Sequence, residues 1–409
     1  MFVREWALEA FRSLVVASLA LAIVLCGVSQ ALAAAVTDSP EIGGAGELIT
    51  TEQIGQHARA AMQTVLDGLG LSEPITIQHD VTLYRLRYLT TNFDGSTVVA
   101  SGLVALPDGK KAKSVVSYFH GTSAQRNTAP SQTNSDEGME MAALVAGTGH
   151  ILLAPDYLGL GESHGIHPYM HVKTTVDTCV DFLIASQGLL KQIHQDWPPL
   201  LFLMGFSQGG HSTLAVQREL EKLGDPRFTV KASASVAGAF QLRDISLPQA
   251  LTGETPSHVF YLAYMTNAYA AIYRQPITSV LGKPFAETVP VLFDGNHEID
   301  EIVAGLPARP RDLFTPEFLA AYDNGTKHWL LDAISENDVK DWTPRAPVRL
   351  FYGENDVDVL PEEARRAVLA MKSRGADITA LSVGPYDHNE SILYALPIVM
   401  RWFSELEGE

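Results

Sequence analysis

The run Gly205-Phe206-Ser207-Gln208-Gly209 sets a serine between an apolar stretch, Leu200–Met204, and a segment of helical character. A serine hydroxyl is a weak nucleophile near neutral pH and attacks only when a base removes its proton. G-x-S-x-G is weak evidence as five letters, but between a strand and a helix it has a mechanical meaning. The turn lifts the hydroxyl above the sheet edge, and its glycines keep any Cβ from striking the adjacent backbone. The base is then expected on a loop after a later strand, with an acid behind it. His388 follows the apolar run Ile378–Val383, and Asp356 follows Val348–Tyr352 through Gly353-Glu354-Asn355. Ser207, Asp356, His388 is the chain order that a nucleophile, acid and base take at the carboxyl edge of such a sheet. Asp358, on the same loop, competes for the acid's role; Asp356 is preferred because it lies closer to the strand end.

Acyl transfer also needs donors aimed at the developing oxyanion, each worth about 10²–10³ in rate. The amide after the nucleophile, at Gln208, supplies one, and Thr122 in His120-Gly121-Thr122 supplies the other, with its hydroxyl as a further donor.

The elements that must position these groups follow from periodicity. After a small-residue lead-in at Thr37–Glu47, an amphipathic helix is expected over Thr51–Leu69. Alternating runs at Ile75–Thr90 and Thr97–Leu106, separated by Asn92-Phe93-Asp94-Gly95, read as a hairpin. Short apolar strands then alternate with helices: Ser114–Phe119, Ile151–Ala154, Leu200–Met204 and Val230–Val236. Such alternation implies a parallel sheet covered on both faces. The rhythm stops near Phe240 and resumes at Val348, so residues 241–347 read as a helical cap inserted into a core of residues 34–240 and 348–409.

Other constellations have plainer explanations. His164, His167 and His171 lack the acidic or thiol partners and fixed spacing of a zinc site, and read as a polar loop. His211, one helical turn past the nucleophile, points away from it and reads as structural. Phe260, Tyr261, Tyr264, Tyr269 and Tyr273 recur at helical spacing; packing within the cap is the default and lining a pocket the alternative. Gly159-Leu160-Gly161 lacks the lysine and wider pattern of a phosphate cradle.

At the N-terminus Arg4 and Arg12 precede an apolar run, Leu14–Val28, and small residues around Ala33. This is the pattern of a signal peptide over residues 1–33, which implies export to a periplasm or the medium. Cys179 is then the single thiol left and cannot form an internal disulfide. No later segment is apolar enough over sufficient length to span a membrane. The 409 residues carry 29 Lys and Arg against 47 Asp and Glu, a net charge of −18 that disfavours nucleic acid as a partner.

From Val98 to Glu405 the chain resembles the α/β-hydrolase superfamily, and more narrowly its exported lipase and esterase branch, similar to secretory lipases. The resemblance rests on Tyr118–Thr122, Pro155–Gly161, Gly205–His211 and the Asp356 and His388 loops. It implies an α/β-hydrolase fold with a mostly parallel, eight-stranded sheet, helices on both faces and a helical cap. It also implies ester hydrolysis without a cofactor. Leu360-Pro361 stands one residue later than the Val-Pro of many relatives, and the cap carries no motif that names a substrate. The expectation is a secreted serine hydrolase acting on small-molecule or lipid-like carboxylic esters. A peptidase or amidase, a thioesterase and a silent binding protein on the same scaffold are the competing readings. Oligomeric state is not readable from the chain.

Overall fold

The computed structural model describes residues 44–408, apart from 110 and 254. The expected signal peptide, residues 1–33, lies outside the described residues.

Nine strands form one sheet: β1 (Leu48–His57), β2 (Val81–Thr91), β3 (Thr97–Pro107), β4 (Ser114–Phe119), β5 (Ile151–Pro155), β6 (Leu200–Phe206), β7 (Val230–Val236), β8 (Val348–Tyr352) and β9 (Ile378–Ser382). Their order is β1-β2-β3-β5-β4-β6-β7-β8-β9. The strands from β4 to β9 run parallel, and the β1–β2–β3 meander adds to β5 antiparallel. Every residue of β4 and β5 is buried, which explains why neither strand alternates apolar with charged residues.

Two expectations need correction. The sheet has nine strands, not eight, because β1 extends its antiparallel edge. The helix expected over Thr51–Leu69 is strand β1 followed by a shorter helix, α1 (Arg59–Gly68). The cause is visible in the register. Irregularities at Leu48/Thr50 and Gln53/Gly55 break the alternation of β1. Residues 48, 51, 54 and 57 are thereby half-buried, a spacing of three that imitates a helix.

Helices α2 (Asp136–Met141), α3 (Val172–Gln192) and α4 (Gln208–Leu223) follow β4, β5 and β6. α11 (Pro361–Lys372) follows β8, and α12 (His388–Glu407) closes the chain. α3, α4 and α11 cover one face, packing Phe182, Leu214 and Met371 against Val115, Leu203 and Leu350. α1 and α12 cover the other, with Met62 and Phe403 against Val116 and Phe202.

Among the described residues of 237–347, between β7 and β8, are six α-helices: α5 (Leu247–Thr252), α6 (Pro256–Ile272), α7 (Phe285–Leu292), α8 (Ile299–Ala304), α9 (Pro316–Asp323) and α10 (Trp329–Glu336). They enclose a third apolar cluster around α6, which also takes in Ala124, Tyr169 and Met170 from the core loops. Where this segment leaves the sheet, the Phe240 and Gln241 amides donate to Glu363 Oε2 at 2.9 and 2.8 Å, and Ser246 Oγ donates to Oε1 at 2.6 Å. Burial pushes the Glu363 pKa up to about 7 in spite of these donors. Where the segment returns, Val339 N donates to Phe240 O at 3.0 Å and His211 Nε2 to Asn337 O at 2.9 Å.

Phe202 is fully buried in β6 and stacks on Phe403 of α12, with ring centroids 4.4 Å apart. Phe202→Ala is expected to lower the unfolding free energy by about 3–5 kcal/mol. Urea denaturation checks this, with a shifted midpoint and an unchanged slope.

Candidate active site

Ser207 is the hinge residue between β6 and α4, at φ 55° and ψ −115°. A non-glycine residue there is strained by on the order of 1–3 kcal/mol and persists only when its surroundings enforce it. Here Ser207 N donates to Val236 O at 2.9 Å, while its own carbonyl accepts from Gly210 N and His211 N. The glycines are needed for contact. A Cβ on Gly209 would lie 1.8 Å from the Phe119 carbonyl oxygen, and one on Gly205 would lie 2.2 Å from the Gly209 carbonyl oxygen.

His388 opens α12. Asp387 caps that helix, its Oδ1 accepting from Glu390 N at 2.9 Å while Asp387 N donates to Glu390 Oε2 at 3.2 Å. The cap fixes where the imidazole projects, and the Phe206 ring packs against it at 4.9 Å. His388 Nε2 lies 2.9 Å from Ser207 Oγ, and Nδ1 lies 2.8 Å from Asp356 Oδ2. Nδ1 therefore carries the proton given to the carboxylate, which leaves the Nε2 lone pair facing the hydroxyl. Asp356 Oδ1 accepts from Asp358 N and Val359 N at 3.0 and 2.8 Å, so both its oxygens are engaged. The structure thus brings together Ser207, His388 and Asp356, all buried. Asp358 Oδ1 instead accepts from Ser257 Oγ at 2.5 Å.

Burial would lower the His388 pKa, but the Asp356 hydrogen bond and charge, with Asp358 and Asp387 behind them, carry it above the ordinary 6.5. The neutral ring is the form that can take the Ser207 proton.

Gln208 is the first residue of α4, where amides have no acceptor within the helix. Its side chain donates through Nε2 to His167 Nε2 at 2.8 Å, and His167 Nδ1 donates to Leu158 O at 2.7 Å. Burial pushes the His167 pKa down to about 4, consistent with a neutral ring that accepts from the amide. Thr122 lies on the loop after β4, and its hydroxyl pairs with Tyr169 Oη at 3.0 Å. Tyr169 stacks in turn on Tyr264 of α6 at 4.5 Å. Arg126 ties the same loop to the helical segment, donating to Asp294 O and Asn296 Oδ1 at 2.6 Å each. No sequence pattern singles out Tyr169, because a tyrosine in a Gly/Pro loop carries no periodicity; only its place beside Thr122 does.

A cleft of about 610 Å³, part of it open to solvent, lies over Ser207 and Gln208. Met170, Leu247, Leu262 and Met265 give it apolar walls. Tyr169, Tyr261, His258 and Asp358 supply the polar part. Phe260, Tyr264 and Tyr269 are buried within the helical segment, whereas Tyr261 faces the cleft. Among the described residues no group of three or more His, Cys, Asp or Glu is placed to hold a metal ion. His167 is committed to Gln208, and His171 caps α3. His211 lies buried against Asn337.

No protein-family model and no curated protein matches the chain. Solved structures do. A presumed hydrolase of Legionella pneumophila is 27% identical with a TM-score of 0.83, covering 88% of this chain and 98% of its own. The rice cell wall degrading esterase LipA of Xanthomonas oryzae is 23% identical with a TM-score of 0.77, covering 87% and 95%. Candida antarctica lipase A in its closed state is 12% identical with a TM-score of 0.66, covering 89% and 83%. The chain has the α/β-hydrolase fold, as the motifs around Ser207 and His120 imply.

Covalent labelling of Ser207 by a fluorophosphonate is expected to fall as pH drops through a pKa above 6.5, since protonated His388 cannot accept the proton. Asp356→Asn removes the largest of the contributions that raise this pKa and leaves those of Asp358 and Asp387, so the acid limb should move to lower pH. The plateau rate should fall by about 10⁴, the cost of losing the orienting carboxylate. Labelling rates between pH 5 and 9 check both.

Proposed function

We propose that the protein is an exported serine hydrolase that cleaves carboxylic esters through an acyl-enzyme. The reading is carried by one observation: imidazole joins hydroxyl and carboxylate at 2.9 and 2.8 Å, with the hydroxyl on a strained turn. His388 takes the proton of Ser207 as Oγ attacks the ester carbonyl, and Asp356 stabilises the imidazolium that forms. The Gln208 and Thr122 amides hold the tetrahedral oxyanion. His388 then protonates the departing alcohol, and a water activated by the same ring releases the acid.

The named activities of two structural neighbours, an esterase and a lipase, agree with this chemistry. The apolar walls of the cleft suit small-molecule or lipid-like esters. No described helix is long and apolar enough to cross a membrane. Export is proposed from the Arg4–Ala33 pattern alone.

Ser207→Ala should reduce hydrolysis of p-nitrophenyl esters by at least about 10³-fold while leaving the far-ultraviolet circular dichroism unchanged. Across acyl chains of two to sixteen carbons, rates should rise beyond acetyl. A strict acetyl preference would contradict the role given to the apolar walls.

A further inference from the structure

The charge in the lining of the cleft over Ser207 has a single sign. Asp358 contributes the one carboxylate of the lining, and no lysine or arginine lines it among the described residues. Its side chain retains 19% exposure. The one ion-pair partner that the described residues give it is His258, at 3.9 Å. That ring donates its Nε2 proton to Val357 O at 3.0 Å, and Thr255 Oγ1 lies 3.0 Å from Nδ1. Both ring nitrogens are thus satisfied in the neutral form. A hydroxyl, Ser257 Oγ, engages one carboxylate oxygen and leaves the charge in place.

Two further features of the same cleft favour a cation. Tyr169 and Tyr261 both line it, and an aromatic face attracts a positive group through its quadrupole. Asp358 also raises the pKa of both Tyr261, after burial, and His388, after the Asp356 terms. Its field therefore reaches the reacting centre.

Resting on the esterase reading, we propose that Asp358 makes this cleft select esters carrying a positively charged group, such as a quaternary ammonium, over neutral and anionic esters of the same size. Asp358 lies two residues from Asp356 and donates its amide to that carboxylate. The loop that orients the triad acid therefore also presents the charge that reads the substrate.

The test uses esters of equal chain length ending in methyl, trimethylammonium or carboxylate, prepared in one set varied in the acyl arm and another in the alcohol arm. In one of the two sets the wild type should show kcat/KM about tenfold higher for the cation than for methyl, and about tenfold lower for the anion, with both gaps narrowing at high salt. Asp358→Asn should bring the three rates within about twofold, and Asp358→Glu should restore the order. The ratio between substrates is unaffected by any loss of folded protein. If Asp358→Asn does not fold, tetraethylammonium decides: it should slow fluorophosphonate labelling of wild-type Ser207 competitively. Absence of any charge preference in the wild type would overturn the proposal. So would a preference that Asp358→Asn leaves intact, or a failure of tetraethylammonium to protect. Failure of all esters, methyl included, together with absent labelling of Ser207, would instead refute the esterase reading.

Discussion

The site depends on the turn at Ser207, where a residue with a side chain is held at positive φ by contacts it cannot escape. β6 ends with Ser207 N tied to β7 through Val236 O, and α4 begins within the next residue. The Gly209 backbone presses on the Phe119 carbonyl so closely that no Cβ fits. Because Phe119 ends β4, the same contact brings the loop bearing Thr122 beside the turn. Strain at Ser207 and placement of the Thr122 loop are thus one packing event. Relaxing either would displace the other, which is how a rigid sheet holds reacting groups to within a fraction of an ångström.

Electrostatics build on that frame. The imidazole of His388 is buried, which alone would favour its neutral form, yet neighbouring carboxylates outweigh burial. The ring is accordingly more basic than free imidazole. Asp356 is fixed through both oxygens, one on the ring and one on two backbone amides. Asp358 receives no such treatment, and its charge is turned toward the cleft. Over this centre the helical segment is fastened at both its roots, by Glu363 on departure and by His211 and Val339 on return. His211 stands one turn beyond Ser207 on α4, so the helix that starts beside Ser207 bears on the segment covering it.

Much of this arrangement is legible in the chain because the constraints are local. A serine flanked by glycines between a strand and a helix, and His388 and Asp356 after apolar runs, need only short-range pattern to be found. The choice between Asp356 and Asp358 is not local. It depends on which carboxylate meets a ring more than thirty residues later, and in the structure Asp356 does. β1 has the sequence pattern of a helix because two irregularities in its pairing give it a three-residue spacing of burial. Pairing register is a property of two strands and cannot be seen in one. Tyr169 and the donor arm of Gln208 are not legible for the same reason, since their meaning lies in partners from distant loops. The helical segment hid its lining residues because α6 is buried almost all round and offers no polar face to mark the side turned to the cleft.

The account stands or falls on whether Ser207 carries the acyl group during turnover. Acid quenching with a slowly deacylating ester, followed by proteolysis and mass spectrometry, locates that group directly. The mass of the acyl moiety should appear on the peptide containing Ser207 and disappear when His388 is replaced by alanine. Turnover with an unmodified Ser207 peptide, or an acyl group fixed to another residue, would contradict it.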